Sequence, residues 1–334
     1  MATRWGICTT GKISSDFGRA VQLLPRADHE IVGVAARKIE DAEKFIETLS
    51  LKSAKAYGSY KAMAEDSNVE VVYIGSIHTY HCELTKLFLN HGKHVLCEKP
   101  SAINSKQLDE MLTLAKEKKL FFMEGLWSRF FPAYVEMRKQ IRAGAIGDVR
   151  YTSTQFGFPL DGVPRMAKKS MGGGSLLDLG IYPLHCTSFV FEGEKPERIV
   201  ASAVMTDDDV DQTTLTTIHY SGGRTAQTAC NMNVTLPNRA IICGTKGIIE
   251  LKELFWCPTQ VTINGETKHF ELESEGFNFH NSAGLKYEAQ AVRESLLKGE
   301  LENSVASHAE SRLLMSSLDQ IRKQTGVVYA VDLE

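Results

Sequence analysis

The sequence predicts an α/β protein of two domains: a parallel, doubly wound sheet, then an α+β domain built on a large, mostly antiparallel sheet. Three observations carry this reading. Short apolar runs alternate with amphipathic stretches of helix length through the first third of the chain, as βαβ units do. After Trp127 the texture changes to alternating strands joined by glycine- and asparagine-rich turns. And 334 residues exceed what one hydrophobic core usually organises. The expected division is 1–126 and 127–334.

In the first domain, Arg4 to Thr9 reads as a strand, followed by Gly11 and an amphipathic helix from Ser14 to Leu24. His29 to Ala36 is the next strand and Asp41 to Ser50 the next helix. Val69 to Gly75 is continuously apolar, as a strand covered on both faces requires. Cys82 to Asn90 is helical and stops at Gly92; His94 to Cys97, Ser105 to Lys118 and Leu120 to Met123 continue the alternation. A helix from Pro132 to Ala143 links to the second domain, whose first strand runs from Arg150 to Phe158. Three strand pairs then flank turn signals at Ser221-Gly222-Gly223, Gly244-Thr245-Lys246-Gly247 and Asn264-Gly265. Helices from Ser282 to Lys298 and Ala306 to Gln324 close the chain. Helices cover one face of such a sheet; the other suits a second copy of the chain, so a homodimer is expected.

Composition narrows the function classes. A net charge of −3 with no basic block gives no footprint for nucleic acid. No apolar run approaches the length of a membrane span. The N-terminus runs almost at once into strand-like sequence with no signal-peptide pattern. Seven cysteines without paired spacing suit free thiols in a reducing compartment, so a cytoplasmic location is expected. Asn233-Val-Thr235 matches a glycosylation sequon that such a chain leaves unused.

The first strand-to-helix turn of a doubly wound sheet binds a pyrophosphate at a helix N-terminus. Against the G-x-G-x-x-G fingerprint the positions are Thr9, Gly11 and Ser14, so only the middle glycine is kept. Lys12 and Ile13 follow it into the helix. An NAD site places an acid after the second strand; here Arg37 and Lys38 stand there, and a guanidinium can pair with a 2′-phosphate. The expected cofactor is therefore NADP. His78 and His81, and His91 and His94, form H-x-x-H pairs, but neither has the further ligands that zinc needs. No metal is expected. His78 and His81 line the cofactor crevice, cap the following helix, or are plain structural histidines.

The apolar run at Val95 ends in Glu98-Lys99-Pro100, which puts an acid and a cation at the mouth of the sheet. Gly172 to Gly174 then precede a helical stretch from Ser175 to Phe191 on which Asp178, Tyr182 and His185 share a face. A tyrosine with its ordinary pKa of about 10 is a poor base, but a neighbouring cation favours its phenolate. Lys99 with Tyr182 is thus a workable acid/base pair for moving a hydroxyl proton. The bland alternative is a packed helix tyrosine with a wet hydroxyl.

Glu98-Lys99-Pro100, the preceding Gly92-Lys93-His94-Val95 and the Gly-Gly-Gly…Asp178…Tyr182 segment together resemble the Gfo/Idh/MocA family of glucose–fructose oxidoreductases and inositol dehydrogenases, over the whole chain. The resemblance implies a Rossmann dinucleotide-binding domain followed by a substrate-binding and dimerisation domain. It makes Lys99 the catalytic lysine and maps the D-x-x-x-H pair onto Asp178 and Tyr182, with tyrosine in place of histidine. Arg4-Trp5-Gly6-Ile7, Ile13-Ser14-Ser15-Asp16-Phe17, Ala56-Tyr57-Gly58-Ser59-Tyr60, Phe130-Phe131-Pro132 and Trp256-Cys257-Pro258 are similar to members that are NADP-dependent and oxidise trans-dihydrodiols and pyranose sugars. The resemblance also implies an aromatic substrate pocket, with Trp127, Phe156, Trp256 and Phe279 at matching positions. Thr9, Gly11, Lys12, Ile13, Arg37, Lys38, His78, His81, Glu98 and Lys99 are the candidate cofactor contacts. A sugar-carbonyl reductase and a non-catalytic dinucleotide or sugar sensor are the competing readings; the presence of both Lys99 and Tyr182 speaks against the sensor.

Overall fold

The computed structural model describes residues 1–273 and 275–333. The chain forms two compact units, one of Met1–Ala102, Lys106–Phe130 and Leu272–His308, the other of Ile103–Ser105, Phe131–Glu271 and Ala309–Glu334.

The first unit opens with β1 (Thr3–Cys8), α1 (Lys12–Gln22), β2 (His29–Ala35), α2 (Ile39–Leu49), β3 (Lys55–Tyr57), α3 (Tyr60–Ala64) and β4 (Val71–Ile74). It continues through α4 (His81–Asn90), β5 (His94–Glu98), α5 (Ser105–Lys118) and β6 (Phe122–Gly125). The six strands are ordered β3-β2-β1-β4-β5-β6 and all pair in parallel. The order reverses between β1 and β4, the switch point at which such sheets bind ligands beyond their carboxyl ends. β4 is buried at every residue, as its unbroken apolar run required. The sequence reading lacked β3 and α3, each too short to show a period.

The second unit contains α6 (Pro132–Arg142), β7 (Val149–Gly157), α7 (Pro164–Ala167), a π-turn at Leu176–Gly180 and α8 (Ile181–Val190). Then come β8 (Arg198–Met205), β9 (Asp211–Tyr220), β10 (Arg224–Asn231), β11 (Ala240–Gly244), β12 (Gly247–Leu251), β13 (Gln260–Ile263) and β14 (Glu266–His269). The sheet order is β14-β13-β12-β11-β7-β10-β9-β8, antiparallel except where β7 lies parallel to β10. The three hairpin turns fall where their residues placed them. β8 was missed because Val200 and Val204 on its outer face are apolar and exposed, which erases the alternation that marks a half-buried strand.

Two features depart from expectation. The stretch from Ser175 is not one regular helix, because Pro183 has no N–H for the Leu179 carbonyl and its ring crowds that carbonyl. The π-turn ahead of α8 provides the wider turn. Every residue of α8 is buried. Second, residues 272–308, expected with the second domain, pack with the first unit. They carry α9 (Leu285–Leu297), and α10 (His308–Thr325) follows. Arg293 of α9 donates to the Met1 carbonyl and Thr3 Oγ1, both at 3.0 Å, and to Asp28 Oδ1 at 2.8 Å. Trp5 Nε1 donates to His29 Nδ1 at 3.2 Å, so His29 donates through Nε2 to Gln290 Oε1 at 3.0 Å. The last part of the chain thus clasps the first strand.

Candidate active site

In the first unit the phosphate turn lies between β1 and α1. Thr9 takes the place of the first glycine with φ 81°, a left-handed conformation rare for threonine. Its Oγ1 lies 3.1 Å from Ser14 Oγ. Gly11 is the N-cap residue of α1 and no side chain caps the helix. The first turn carries no acid, and the ladder begins with Ser15 N–H donating to the Gly11 carbonyl at 2.9 Å. The N–H groups ahead of it, from Gly11 through Lys12 and Ile13, have no helical acceptor, the arrangement a pyrophosphate requires.

Arg37 and Lys38 follow β2, both exposed, and Lys38 caps α2 with extended backbone. Tyr60 at the start of α3 is close enough to Arg37 to feel its charge; burial nonetheless holds the phenol above its ordinary pKa. His78 is buried in the turn His78–Tyr80. Buried His81 lies between two carbonyls, Nδ1 at 2.8 Å from that of Pro100 and Nε2 at 2.9 Å from that of Ser76. Desolvation, helped by His78 and Lys99, drops its pKa to about 4, so the ring is neutral and donates to one of the two. It braces the turn after Lys99.

Glu98 is the last residue of β5, with Lys99 and a cis Lys99–Pro100 bond just beyond. Glu98 Oε1 accepts from Tyr73 Oη at 2.7 Å and Oε2 from the Lys99 backbone N–H at 3.2 Å. Tyr73 is stacked on Phe17 of α1, ring centres 3.8 Å apart. Glu98 therefore fixes the backbone at Lys99. Trp127 is buried in the turn Trp127–Phe130. Phe279, 45% exposed, sits in the segment that joins the first unit. Asp16 of α1 holds that segment, accepting from the Asn278 and Phe279 backbone N–H groups at 2.8 and 2.9 Å.

In the second unit Tyr182 lies near the start of α8, 8% exposed. Its ring meets Phe156 edge-on at 5.3 Å, and Phe156 stacks on Trp256 at 4.1 Å. Phe158 stands edge-on to both Phe156 and Trp256. Of the four expected pocket aromatics, Phe156 and Trp256 thus join Tyr182, whereas Trp127 and Phe279 belong to the first unit. Arg165 does not stand out in the sequence. Its Nη1 lies 2.8 Å from Asp178 Oδ1, and both Asp178 and Tyr182 act on the guanidinium and keep it charged. Asp178 is therefore ion-paired beside the tyrosine.

Buried Asp211 of β9 anchors the segment that carries Asp178 and Tyr182. Its Oδ2 accepts from Ser175 Oγ and Leu176 N–H, both at 2.7 Å, and from Thr214 Oγ1 at 2.8 Å. Gly174 has φ 124° and lies against this carboxylate; a Cβ there would meet Asp211 Oδ1 at 2.4 Å. Desolvation raises the Asp211 pKa while its three donors oppose that rise. Among the described residues no group of three or more His, Cys, Asp or Glu side chains is placed to hold a metal.

The first unit has the sheet and turn of a dinucleotide-binding domain, and the second sets a tyrosine against an aromatic wall. Residues 3–126 match the family model described as "Oxidoreductase family, NAD-binding Rossmann fold", and residues 134–250 the GFO/IDH/MocA C-terminal domain. The trans-1,2-dihydrobenzene-1,2-diol dehydrogenase of Danio rerio is 45% identical over 334 residues, 99% of each chain. That of Homo sapiens is 42% identical over 334 residues, again 99% of each. Among solved structures, a 3-ketoreductase from Actinomadura kijaniata in complex with NADP and TDP-benzene superposes with TM-score 0.82 at 24% identity, covering 97% of this chain and 98% of that one. The aldose-aldose oxidoreductase from Caulobacter crescentus gives 0.84 at 21%, covering 98% of each. The chain belongs to the Gfo/Idh/MocA oxidoreductase family.

Proposed function

We propose that this chain is an NADP-dependent dehydrogenase of CH–OH groups. It oxidises trans-dihydrodiols of aromatic hydrocarbons to catechols, and D-xylose and related pyranoses to lactones. The observation that carries the reading is Tyr182 held edge-on against the Phe156–Trp256 stack, in a chain similar end to end to dihydrodiol dehydrogenases. Ring faces of this kind accept both a flat hydrocarbon and the apolar face of a sugar.

In the reaction Tyr182 takes the proton of the hydroxyl being oxidised. The Lys99 ammonium and the Arg165 guanidinium favour the phenolate that does so. Lys99 also orients the substrate oxygen, its backbone held by Glu98. NADP, when bound, would supply the nicotinamide as acceptor for the hydride of the carbinol carbon. Gly11, Lys12 and Ile13 would hold the pyrophosphate, and Arg37 and Lys38 the 2′-phosphate. The ketone first formed from a dihydrodiol becomes a catechol by tautomerisation, the remaining sp3 ring carbon giving up its proton while the carbonyl oxygen gains one.

The functional unit is a homodimer joined through the outer face of the second sheet. That face presents Val200, Val204 and Leu215, all exposed, beside Gln227 and Ala229. The compartment is the reducing cytoplasm: all seven cysteines are free and six of them buried. Among the described residues no helix is long and apolar enough to cross a membrane.

The test is NADPH formation with a trans-dihydrodiol, D-xylose and D-glucose side by side. Turnover of the dihydrodiol and D-xylose is expected. No NADPH from any of the three would overturn the reading.

A further inference from the structure

In the second unit Gly172, Gly173 and Gly174 form a strap that leads through Ser175 into the π-turn at Leu176–Gly180, and so to Asp178 and Tyr182. A run of glycines has little conformational preference of its own, so its path is set by what grips it. One side is held by the turn that carries Arg165. The Gly173 N–H donates to the Lys168 carbonyl and the Gly174 N–H to the Met166 carbonyl, both at 2.9 Å. A Cβ on Gly173 would meet the Met166 carbonyl oxygen at 2.5 Å, so the two backbones lie in direct contact. Asp211 fixes the far end, at Ser175 and Leu176.

A further grip comes from Tyr329, which follows α10. Its hydroxyl donates to the Gly173 carbonyl at 2.6 Å, and the residue is buried. The same oxygen would lie 3.3 Å from a Cβ on Gly174. Tyr329 is itself locked in place. Its N–H donates to Asp332 Oδ2 at 2.9 Å. Asp332 also accepts from Asn104 Nδ2 at 2.8 Å and is ion-paired with buried Arg322 of α10. The Arg322 guanidinium reaches Asp319 Oδ1 at 2.7 Å and lies 5.2 Å from the centre of the Tyr329 ring. Asp319 in turn accepts from the Ser105 N–H at 2.9 Å. A cation, two carboxylates and an amide thus fix where the phenol points, and the phenol fixes the strap.

We propose that Tyr329 is a positioning residue for Tyr182. By holding the Gly173 carbonyl it sets where the π-turn begins, and with it the place of the Tyr182 hydroxyl and of the Asp178 carboxylate that pairs with Arg165. Tyr329 acts only through the backbone; its own proton takes no part in the reaction. Catalysis is steep in distance, and a displacement of about 1 Å can cost about a hundredfold in rate. This rests on Tyr182 being the acid/base group.

Kinetics and proteolysis of the full-length enzyme test it. Tyr329→Phe keeps the ring and removes only the hydroxyl. It should lower kcat about tenfold, with KM and NADP affinity changed less than about threefold. In a Tyr182→Phe background the same substitution should lower kcat no further, because a group that is absent cannot be misplaced. Equal fold-losses in the two backgrounds would mark an effect on the fold alone and would overturn the proposal. Near-normal kcat in Tyr182→Phe by itself would instead overturn the acid/base role of Tyr182, and this positioning role with it.

Trypsin reads the strap without any turnover. The Lys168–Lys169 bond lies in the turn that the strap holds, and cleavage there follows the population of the opened turn. Tyr329→Phe should raise the rate of that cut about tenfold under native conditions. An unchanged rate overturns the proposal whatever the kinetics. If Tyr329→Phe does not fold, Asp332→Ala removes the acceptor that locks the Tyr329 N–H and should change kcat and cleavage in the same directions. Wild-type values for both in that variant would also overturn the proposal.

Discussion

Arg165 holds Asp178 through a 2.8 Å ion pair, and Tyr182 lies close enough to act on the guanidinium. A cation is thus built into the tyrosine's own unit. Arg165→Met should move the rising limb of the kcat–pH profile for oxidation upward by about one pH unit, because a lost cation raises the pKa of a phenol. At neutral pH that is about a tenfold fall in kcat. An unmoved limb with lower kcat would mean that Arg165 serves only the fold.

Tyr182→Phe keeps the ring in its contact with Phe156 and removes only the acid/base group. We expect kcat to fall by roughly 10²–10⁴, the usual worth of a positioned acid/base, with NADP affinity nearly unchanged. Lys99→Met should be similarly severe and the double variant little worse than either, because groups that act as one unit are not additive. Near-normal kcat in Tyr182→Phe with the same pH limb would send the proton elsewhere, with His185 and His81 next to examine.

Arg37→Asp should weaken NADP about ten- to a hundredfold more than NAD, since a charged hydrogen bond is worth roughly 1.5–3 kcal/mol. The carboxylate would repel a 2′-phosphate yet accept from a ribose hydroxyl. Fluorescence titration with both cofactors checks it, and equal losses would assign Arg37 to folding rather than selection.

Leu215→Arg places a charge on the outer sheet face one strand in from the edge, opposite Ala229 on one side and Ser202 on the other. Light scattering at micromolar concentration should show a dimer for the wild type and a monomer for the variant. A monomeric, fully active wild type would refute the assembly.

The dinucleotide half of the candidate site was legible as a candidate because the turn after β1 and the residues after β2 occupy fixed places in a βαβ unit. Lys99 was legible for the same reason, as the residue where an apolar strand ends. Tyr182 was visible as a tyrosine near an acid, and it took chemistry rather than periodicity to single it out. Arg165 was not legible: it is one of three cations between Pro164 and Lys169, and nothing in their spacing tells which reaches Asp178. The domain division failed for residues 272–308 because a chain that returns to its first unit leaves no break in composition to mark the return.

That return has a consequence for how the protein is made. The strand that begins the dinucleotide unit leaves the ribosome nearly three hundred residues before the helix whose Arg293 ties it down. Until then the nascent unit waits without that helix. Its maturation is thereby tied to synthesis of α9, and a fragment that stops at β6 would lack the helix that finishes it.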